Sequence, residues 1–377
     1  VAERKNLSIF VSIPAWRDPM VYETIMSAHS QALNPDSITY GVLLQVLDGD
    51  EWMIEKIASL SEIVNLKLKV VHGRDASPFL CEIKRDIVDS FMTDEKYWMQ
   101  IDAHTKFRKN WDIMLKAEHL IANRTFGKSI INSQTIYFLG WEDPLWADPL
   151  TAYANLEEWQ SIKDVIRSPA VTPLNGRVHA KPNNLMIKEK FYNGNCVFTD
   201  AYYAKTVQHP MEMAQPFEQQ IMLLRTWTAG YEVVSPIHMY TNNFDYWDDD
   251  HRNNKDLHRH VRWETEELEG IYLDVVKESY RKFKEVFESG HIGYELPWGA
   301  FKQRSISEFI DFLGYNPITL EIKNDDRVCL ENAAYISDKV FVDAIKEIAF
   351  NEGIDLPSDI YRDIINAQRC EYRGSLV

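Results

Sequence analysis

The first hundred residues alternate short apolar runs with amphipathic stretches, a pattern few folds can accommodate. Leu7–Ile13, Ile38–Val46, Leu66–His72 and Tyr97–Asp102 read as strands, and Pro19–Ala32, Glu51–Leu60 and Phe79–Phe91 read as the helices between them. Strand, helix, strand at this spacing requires crossover connections, hence a mostly parallel sheet flanked by helices. A doubly wound α/β sheet binds its ligands beyond the carboxyl ends of its strands. Ile13, Val46, His72 and Asp102 are therefore expected along one edge.

The middle of the chain is less regular. Trp141–Asn184 carries Pro144, Pro149, Pro169, Pro173 and Pro182 and reads as a long excursion, a lid or an acceptor wall. Asn195–Asp200 reads as a strand, Phe217–Ala229 as a helix stopped by Gly230, and Tyr231–Ser235 as another strand. Beyond about Asp250 the pattern turns helical, over Glu264–Phe287, Ser305–Leu313, Asp338–Phe350 and Ser358–Ala367. The polar stretch at 250–262 is expected to divide the chain into residues 1–255, an α/β domain, and 256–377, a helical C-terminal region.

Composition narrows the function. Hydrophobic residues at 45% and charged residues at 26% belong to a globular chain, not a disordered one. The formal net charge of −16 disfavours non-specific binding to nucleic acid. The four cysteines, Cys81, Cys196, Cys329 and Cys370, form no CxxC pair. That argues against a disulfide framework and a cysteine zinc site and fits a reducing compartment. No apolar run approaches the ~20 residues of a membrane span, and Val1–Leu7 shows no leader pattern. A cytoplasmic protein with no membrane partner is expected.

Familiar motifs fail. No GxG is present, and Gly127-Lys128-Ser129 lacks the glycine five residues earlier that a phosphate loop needs, Ala122 standing there. His251, His258 and His260 match no metal-site spacing and read as a polar loop. The informative segment is Tyr97-Trp-Met-Gln-Ile-Asp102-Ala-His104, an apolar strand that delivers a carboxylate and an imidazole. At i and i+2 of an extended segment the two face the same way and could share one Mn²⁺ or Mg²⁺. The other reading is a histidine packed at the strand terminus beside an aspartate that caps the next loop.

Here the chain resembles the GlcNAc-transferase family of cytoplasmic GT-A glycosyltransferases, which includes enzymes that modify hydroxyproline on a ubiquitin-ligase adaptor. Ile9-Phe-Val-Ser-Ile-Pro-Ala-Trp-Arg-Asp-Pro19 resembles the family's opening strand and Arg-Asp-Pro turn. Asn34–Ile38, Gly41–Gln45 and Arg74–Asp86 come next in the family's order, and Gln100-Ile-Asp102-Ala-His104-Thr-Lys-Phe107 resembles its Gln-Ile-Asp-Ser-His-x-x-Phe metal motif. Asn195–Phe198, Phe217–Gln220, Arg225–Tyr231 and Arg304–Phe309 extend the likeness. The family's Gly-Glu-Glu is Phe217-Glu218-Gln219 here, so one carboxylate is lost, and nothing after about residue 320 matches.

The resemblance implies a GT-A-like α/β fold and a metal-dependent, retaining transfer of a sugar, GlcNAc above others, from a UDP-sugar to an acceptor hydroxyl. The acceptor could be a protein, a glycan or a modified nucleobase. It implies Asp102, His104 and His238 as metal ligands, with Asn242 and Asp245 behind His238. Ser12, Arg17, Asp18, Gln45, Arg74 and Arg85 are expected around the donor. Glu218, with Asp102, is the expected catalytic residue. Each has a plainer reading: Arg17 and Asp18 as surface ion-pair residues, Arg85 in a pair along its helix, Glu218 as a helix N-terminal charge. Two other functions remain open: transfer to a hydroxylated base in DNA, and a nucleotide-sugar-binding module without turnover.

Overall fold

The computed structural model describes residues 7–73, 79–133, 135–138, 141, 150–154, 176–180, 184–213, 217–244, 269–289, 300–319 and 333–361. Its first elements are β1 (Ile9–Trp16), α1 (Val21–Gln31), β2 (Ile38–Val46), α2 (Glu51–Ala58), β3 (Asn65–His72), α3 (Leu80–Phe91) and β4 (Tyr97–Ile101), in the expected order. β1 pairs in parallel with both β2 and β4, and β2 with β3.

The chain continues through β5 (Thr105–Phe107), α4 (Trp111–Phe126), β6 (Ser129–Asn132), β7 (Ile136–Phe138), β8 (Leu150–Ala154), β9 (Gly176–Ala180), β10 (Leu185–Lys188) and β11 (Cys196–Asp200). Next come α5 (Ala201–Thr206), α6 (Phe217–Thr228), β12 (Glu232–Ser235), β13 (Thr241–Phe244), α7 (Glu269–Ser289), α8 (Ile306–Leu313), β14 (Ala333–Tyr335) and α9 (Asp338–Glu352). The main sheet has nine strands in the order β14-β10-β12-β6-β11-β4-β1-β2-β3. Only β10 and β11 run against the direction of the others. A small sheet, β5-β13-β7, lies just past β4 in the chain, and β8 pairs with β9 inside the proline-rich excursion.

Side-chain alternation splits the core into two layers. Ile9, Val11 and Ile13 of β1 and Tyr97, Met99 and Ile101 of β4 join residues of α1, α2, α4 and α9. Phe10 of β1 and Trp98 of β4 face the other way, toward α3, α6, α7 and α8. Gly230, at φ 84°, ends α6 in the left-handed conformation that glycine adopts without steric cost.

The proposed boundary at 255/256 lies outside the described residues. The described segments beyond it pack into the same two layers. α7 and α8 cover α6, with Trp227 stacked on Phe312 at 5.7 Å. β14 joins the main sheet through β10, and α9 places Phe341, Ile345 and Ile348 in the layer that holds β1. The fully buried Lys116 of α4 pairs with Glu352 at the end of α9.

Phe341 is 0% exposed, so Phe341→Ala leaves a cavity between α9 and the sheet layer. We expect it to cost about 3–5 kcal/mol in chemical denaturation, as one cooperative transition. A separate early transition for the C-terminal segment would contradict the shared core.

Candidate active site at the carboxyl edge

β4 ends at Ile101 and β5 starts at Thr105, so Asp102–His104 form a turn and not the extended segment that the spacing argument assumed. Three elements hold that turn. The Thr24 hydroxyl of α1 donates to the Ala103 carbonyl at 2.9 Å and accepts from the Thr105 N–H at 2.8 Å. The Thr105 hydroxyl donates to the Asp102 carbonyl at 2.8 Å. The Phe244 N–H of β13 donates to the His104 carbonyl at 2.8 Å.

The side chains are fixed as firmly as the backbone. Asn243 Nδ2 donates to Asp102 Oδ2 at 2.6 Å. His104 Nδ1 donates to Asp18 Oδ2 at 2.9 Å. Asp18 is fully buried, and its other oxygen accepts the Met20 N–H at 3.0 Å. The loop after β1 and the loop after β4 are thus tied together through Asp18 and His104. Oxygen plus imidazole at this turn is a donor set that suits Mn²⁺ or Mg²⁺, and a carboxylate on the far ring nitrogen is the usual support of a metal-binding histidine.

The remaining expected residues distribute unevenly. Ser12 and Gln45 are buried on the α3 side of the sheet, and Ser12 Oγ and Gln45 Oε1 have no hydrogen-bond partner among the described residues. Arg17, at φ 47°, is a non-glycine residue in left-handed backbone. Its guanidinium grips Asp50 through Nε at 2.6 Å and Nη2 at 3.0 Å, and its N–H donates to the Gln45 carbonyl at 2.9 Å. Arg17 therefore clamps the loops after β1 and β2 together. Arg85 pairs along its helix with Asp89 at 3.3 Å and borders a small recess with Trp98, Tyr203 and His209. Arg74, Asp245, His251 and His258 lie outside the described residues.

His238 does not join Asp102 and His104 in a three-ligand cluster. Its Nδ1 donates to Glu118 Oε1 at 2.9 Å, and its ring packs on Phe341 at 4.7 Å, in the α4–α9 layer. Glu118, fully buried, also accepts the Ile237 N–H at 2.8 Å and the Tyr240 hydroxyl.

Glu218 is likewise set apart from open solvent, at 2% exposure. Its Oε1 lies 2.5 Å from Lys84 Nζ and 3.4 Å from His209 Nδ1. His209 Nε2 donates to Gln100 Oε1 at 2.6 Å, and Gln100 Nε2 donates to the Gly194 carbonyl at 2.8 Å. A Cβ on Gly194 would come within 3.1 Å of Lys84 Nζ, so the chain approaches the lysine more closely there than a side chain comfortably allows. Cys81, His209 and Glu218 offer ligand atoms within 4.8 Å of one another, the one such trio among the described residues. Lys84 already compensates that carboxylate, and burial pushes the Cys81 thiol well up, so the trio is a poor cation site.

Sequence reading missed Asn243 and the Lys84–Glu218–His209–Gln100 chain. The only local sign of the latter is that Gln100 stands two residues before Asp102. Asn243 is 141 residues from Asp102, and no local pattern links them.

Burial, with the Lys84 and Arg225 charges behind it, holds His209 well below the usual histidine range. The folded chain keeps it neutral, whereas the unfolded chain takes up a proton below about pH 6.5. Its stabilising contribution is thus complete above that value and declines as pH falls below it. His119, which burial pushes down to about 4, acts in the same direction. We expect His209→Gln to make the pH 6.5-to-5 limb of the stability curve shallower, as read by denaturation at several pH values. A second expectation concerns the ion pair. Glu218→Gln leaves Lys84 buried without its anion and costs about 3–5 kcal/mol, and adding Lys84→Met recovers most of it. A fully additive double variant would show that the pair is not coupled.

Comparison with known proteins names the fold's company. A family model described as Glycosyltransferase (GlcNAc) matches residues 83–319. Asp102, His104, Glu218 and His238 fall inside that match, and Ser12, Arg17, Asp18, Gln45 and Arg74 precede it. No curated protein matches the chain. A solved structure of GalNAc-T7 with UDP, GalNAc and Mn²⁺ aligns at 10% identity and TM-score 0.48, over 81% of this chain and 54% of its own, so the chain spans about half of that protein's length. S. aureus TarS 1–349 with UDP-GlcNAc aligns at 10% identity and TM-score 0.42, over 93% of each chain. The mannosyltransferase PcManGT from Pyrobaculum calidifontis, with GDP-Man and Mn²⁺, aligns at 11% identity and TM-score 0.38, over 62% of this chain and 56% of its own. The family match spans well over half of the chain, which therefore belongs to the GlcNAc glycosyltransferase family.

Proposed function

We propose that the chain transfers a sugar, GlcNAc above others, from a UDP-sugar to an acceptor hydroxyl, with retention at the anomeric carbon and with Mn²⁺ or Mg²⁺ held by Asp102 and His104. The observation that carries this reading is the braced turn after β4. Its carboxylate and imidazole are each fixed by a second side chain, at the edge where an α/β sheet receives its ligands. A bound divalent cation would neutralise charge on the departing diphosphate.

This chain's own residues do the rest. Asp102 and His104 would hold the cation at the sheet edge. Ser12 Oγ and Gln45 Oε1 lie inside the protein, unpartnered among the described residues. Arg17, through Asp50, holds the loops after β1 and β2 together at that edge. Retention requires the acceptor oxygen to approach from the face that the diphosphate leaves, so the acceptor must lie over the same turn. No described helix is long and apolar enough to cross a membrane.

The test is nucleotide release from a panel of UDP- and GDP-sugars with Mn²⁺. We expect UDP-GlcNAc to lead, excess EDTA to abolish release, and Asp102→Ala to lower it by about 10²-fold or more with the melting temperature little changed. Full release in EDTA would refute the metal-dependent reading, and binding without release would identify a nucleotide-sugar-binding module.

A further inference from the structure

We propose that Asp18 is a positioning residue that prepares His104 for a divalent cation, and not a contact to the nucleoside; this rests on the metal-dependent reading above. Asp18 is 0% exposed, so its carboxylate is inside the protein at the end of β1. One oxygen accepts the Met20 N–H at 3.0 Å, and the other accepts from His104 Nδ1 at 2.9 Å. With Nδ1–H committed to a carboxylate, the neutral ring carries its lone pair on Nε2, the form of imidazole that ligates metals. The adjoining negative charge raises the basicity of that lone pair.

The orientation is imposed from several directions. His104 lies in the turn whose neighbours Ala103 and Thr105 are both held by Thr24, and its own carbonyl is held by Phe244. The backbone therefore cannot swing to suit a different ring position, and Asp18 selects the ring's nitrogen. Asn243 plays the matching part for Asp102: by donating to Oδ2 at 2.6 Å it directs Oδ1 away from itself. A nucleoside contact would require Asp18 to be reachable, yet both of its oxygens are engaged and the residue is covered.

Asp18→Asn separates charge from shape. The amide oxygen still accepts the Met20 N–H, but the amide nitrogen now faces Nδ1 as a donor. The ring must then place its proton on Nε2 and loses the metal-binding lone pair. Mn²⁺ affinity is measured by the electron paramagnetic resonance signal of free Mn²⁺, with Mn²⁺ alone and with Mn²⁺ plus UDP, on the full chain. We expect Asp18→Asn and Asp18→Ser to weaken Mn²⁺ binding by about 10- to 100-fold. Metal-free melting temperatures should stay close to the parent's. In a His104→Ala background, Asp18→Asn should have no further effect on Mn²⁺.

Parent-like Mn²⁺ affinity in both Asp18 variants overturns the inference and leaves the metal-dependent reading standing. So does an equal loss with and without His104, which would make Asp18 a ligand in its own right. Failure of both variants to fold, read by circular dichroism, overturns it by making the role structural. A parent protein that binds no Mn²⁺ under either condition overturns the inference and the reading together.

Discussion

The parallel register between β1 and β4 sets the geometry of everything at the carboxyl edge. Ser12 pairs with Gln100, so the two strands leave the sheet side by side. β1 runs on to Trp16, alongside Gln45 of β2. The next loop must turn within one or two residues, and Arg17 adopts left-handed backbone to do so. Strain of this kind persists only where the surroundings over-determine it. Here the surroundings are the Asp50 carboxylate, which also accepts the Leu47 N–H at 2.9 Å, and the Gln45 carbonyl. The turn delivers Asp18 to His104, and a parallel pair in any other register would not.

α4 is the counterpart of that edge on the opposite layer. It carries buried charged residues that a helix in an ordinary core would not tolerate, and each ties down a different segment. Asp112 accepts the Leu33 and Asn34 N–H groups at 2.8 and 2.9 Å. Lys116 pairs with Glu352, and Glu118 gathers Ile237, His238 and Tyr240. A buried charge is stable only when paired and hydrogen-bonded, so these contacts are obligatory. They fix the approach of β13, which starts one residue after Tyr240 and supplies Asn243 to the Asp102–His104 turn. The histidine that the family resemblance suggested as third ligand joins through Nδ1 the bracket that positions β13, and its Nε2 is buried without a hydrogen-bond partner among the described residues.

The same residues explain what the sequence revealed and what it hid. The β1–β4 half is written in local pattern, because apolar strands and amphipathic crossovers alternate with little interruption. The Asp102-x-His104 pair was legible because the strand leading to it is apolar and the polar residues begin abruptly. α4 escaped notice because Asp112, Lys116, Glu118 and His119 sit at buried positions and erase the amphipathic contrast that reveals a helix. β5, β13 and β7 are three or four residues long, too short for a period-2 signal. The partners of Asp102, Glu218 and His238 come from more than a hundred residues away, and no spacing rule connects them.

The surroundings of Glu218 set what its charge can do. A carboxylate that stabilises developing positive charge must reach the reacting carbon with its charge uncompensated. Glu218 has Lys84 at 2.5 Å and His209 at 3.4 Å, inside a layer closed by α3, α6 and α7. Its charge is balanced by Lys84 within that layer. Through His209 it also reaches Gln100, and Gln100 holds Gly194 beside β4, the strand that leads to Asp102. The lost second carboxylate, replaced by Gln219, removes a like charge that would otherwise stand next to this compensated pair. At the carboxyl edge the three carboxylates that follow adjacent strands differ in the same way: Arg17 balances Asp50, and Asp18 is buried against His104. Asp102 is held by the neutral amide of Asn243 and so keeps its negative charge at that edge.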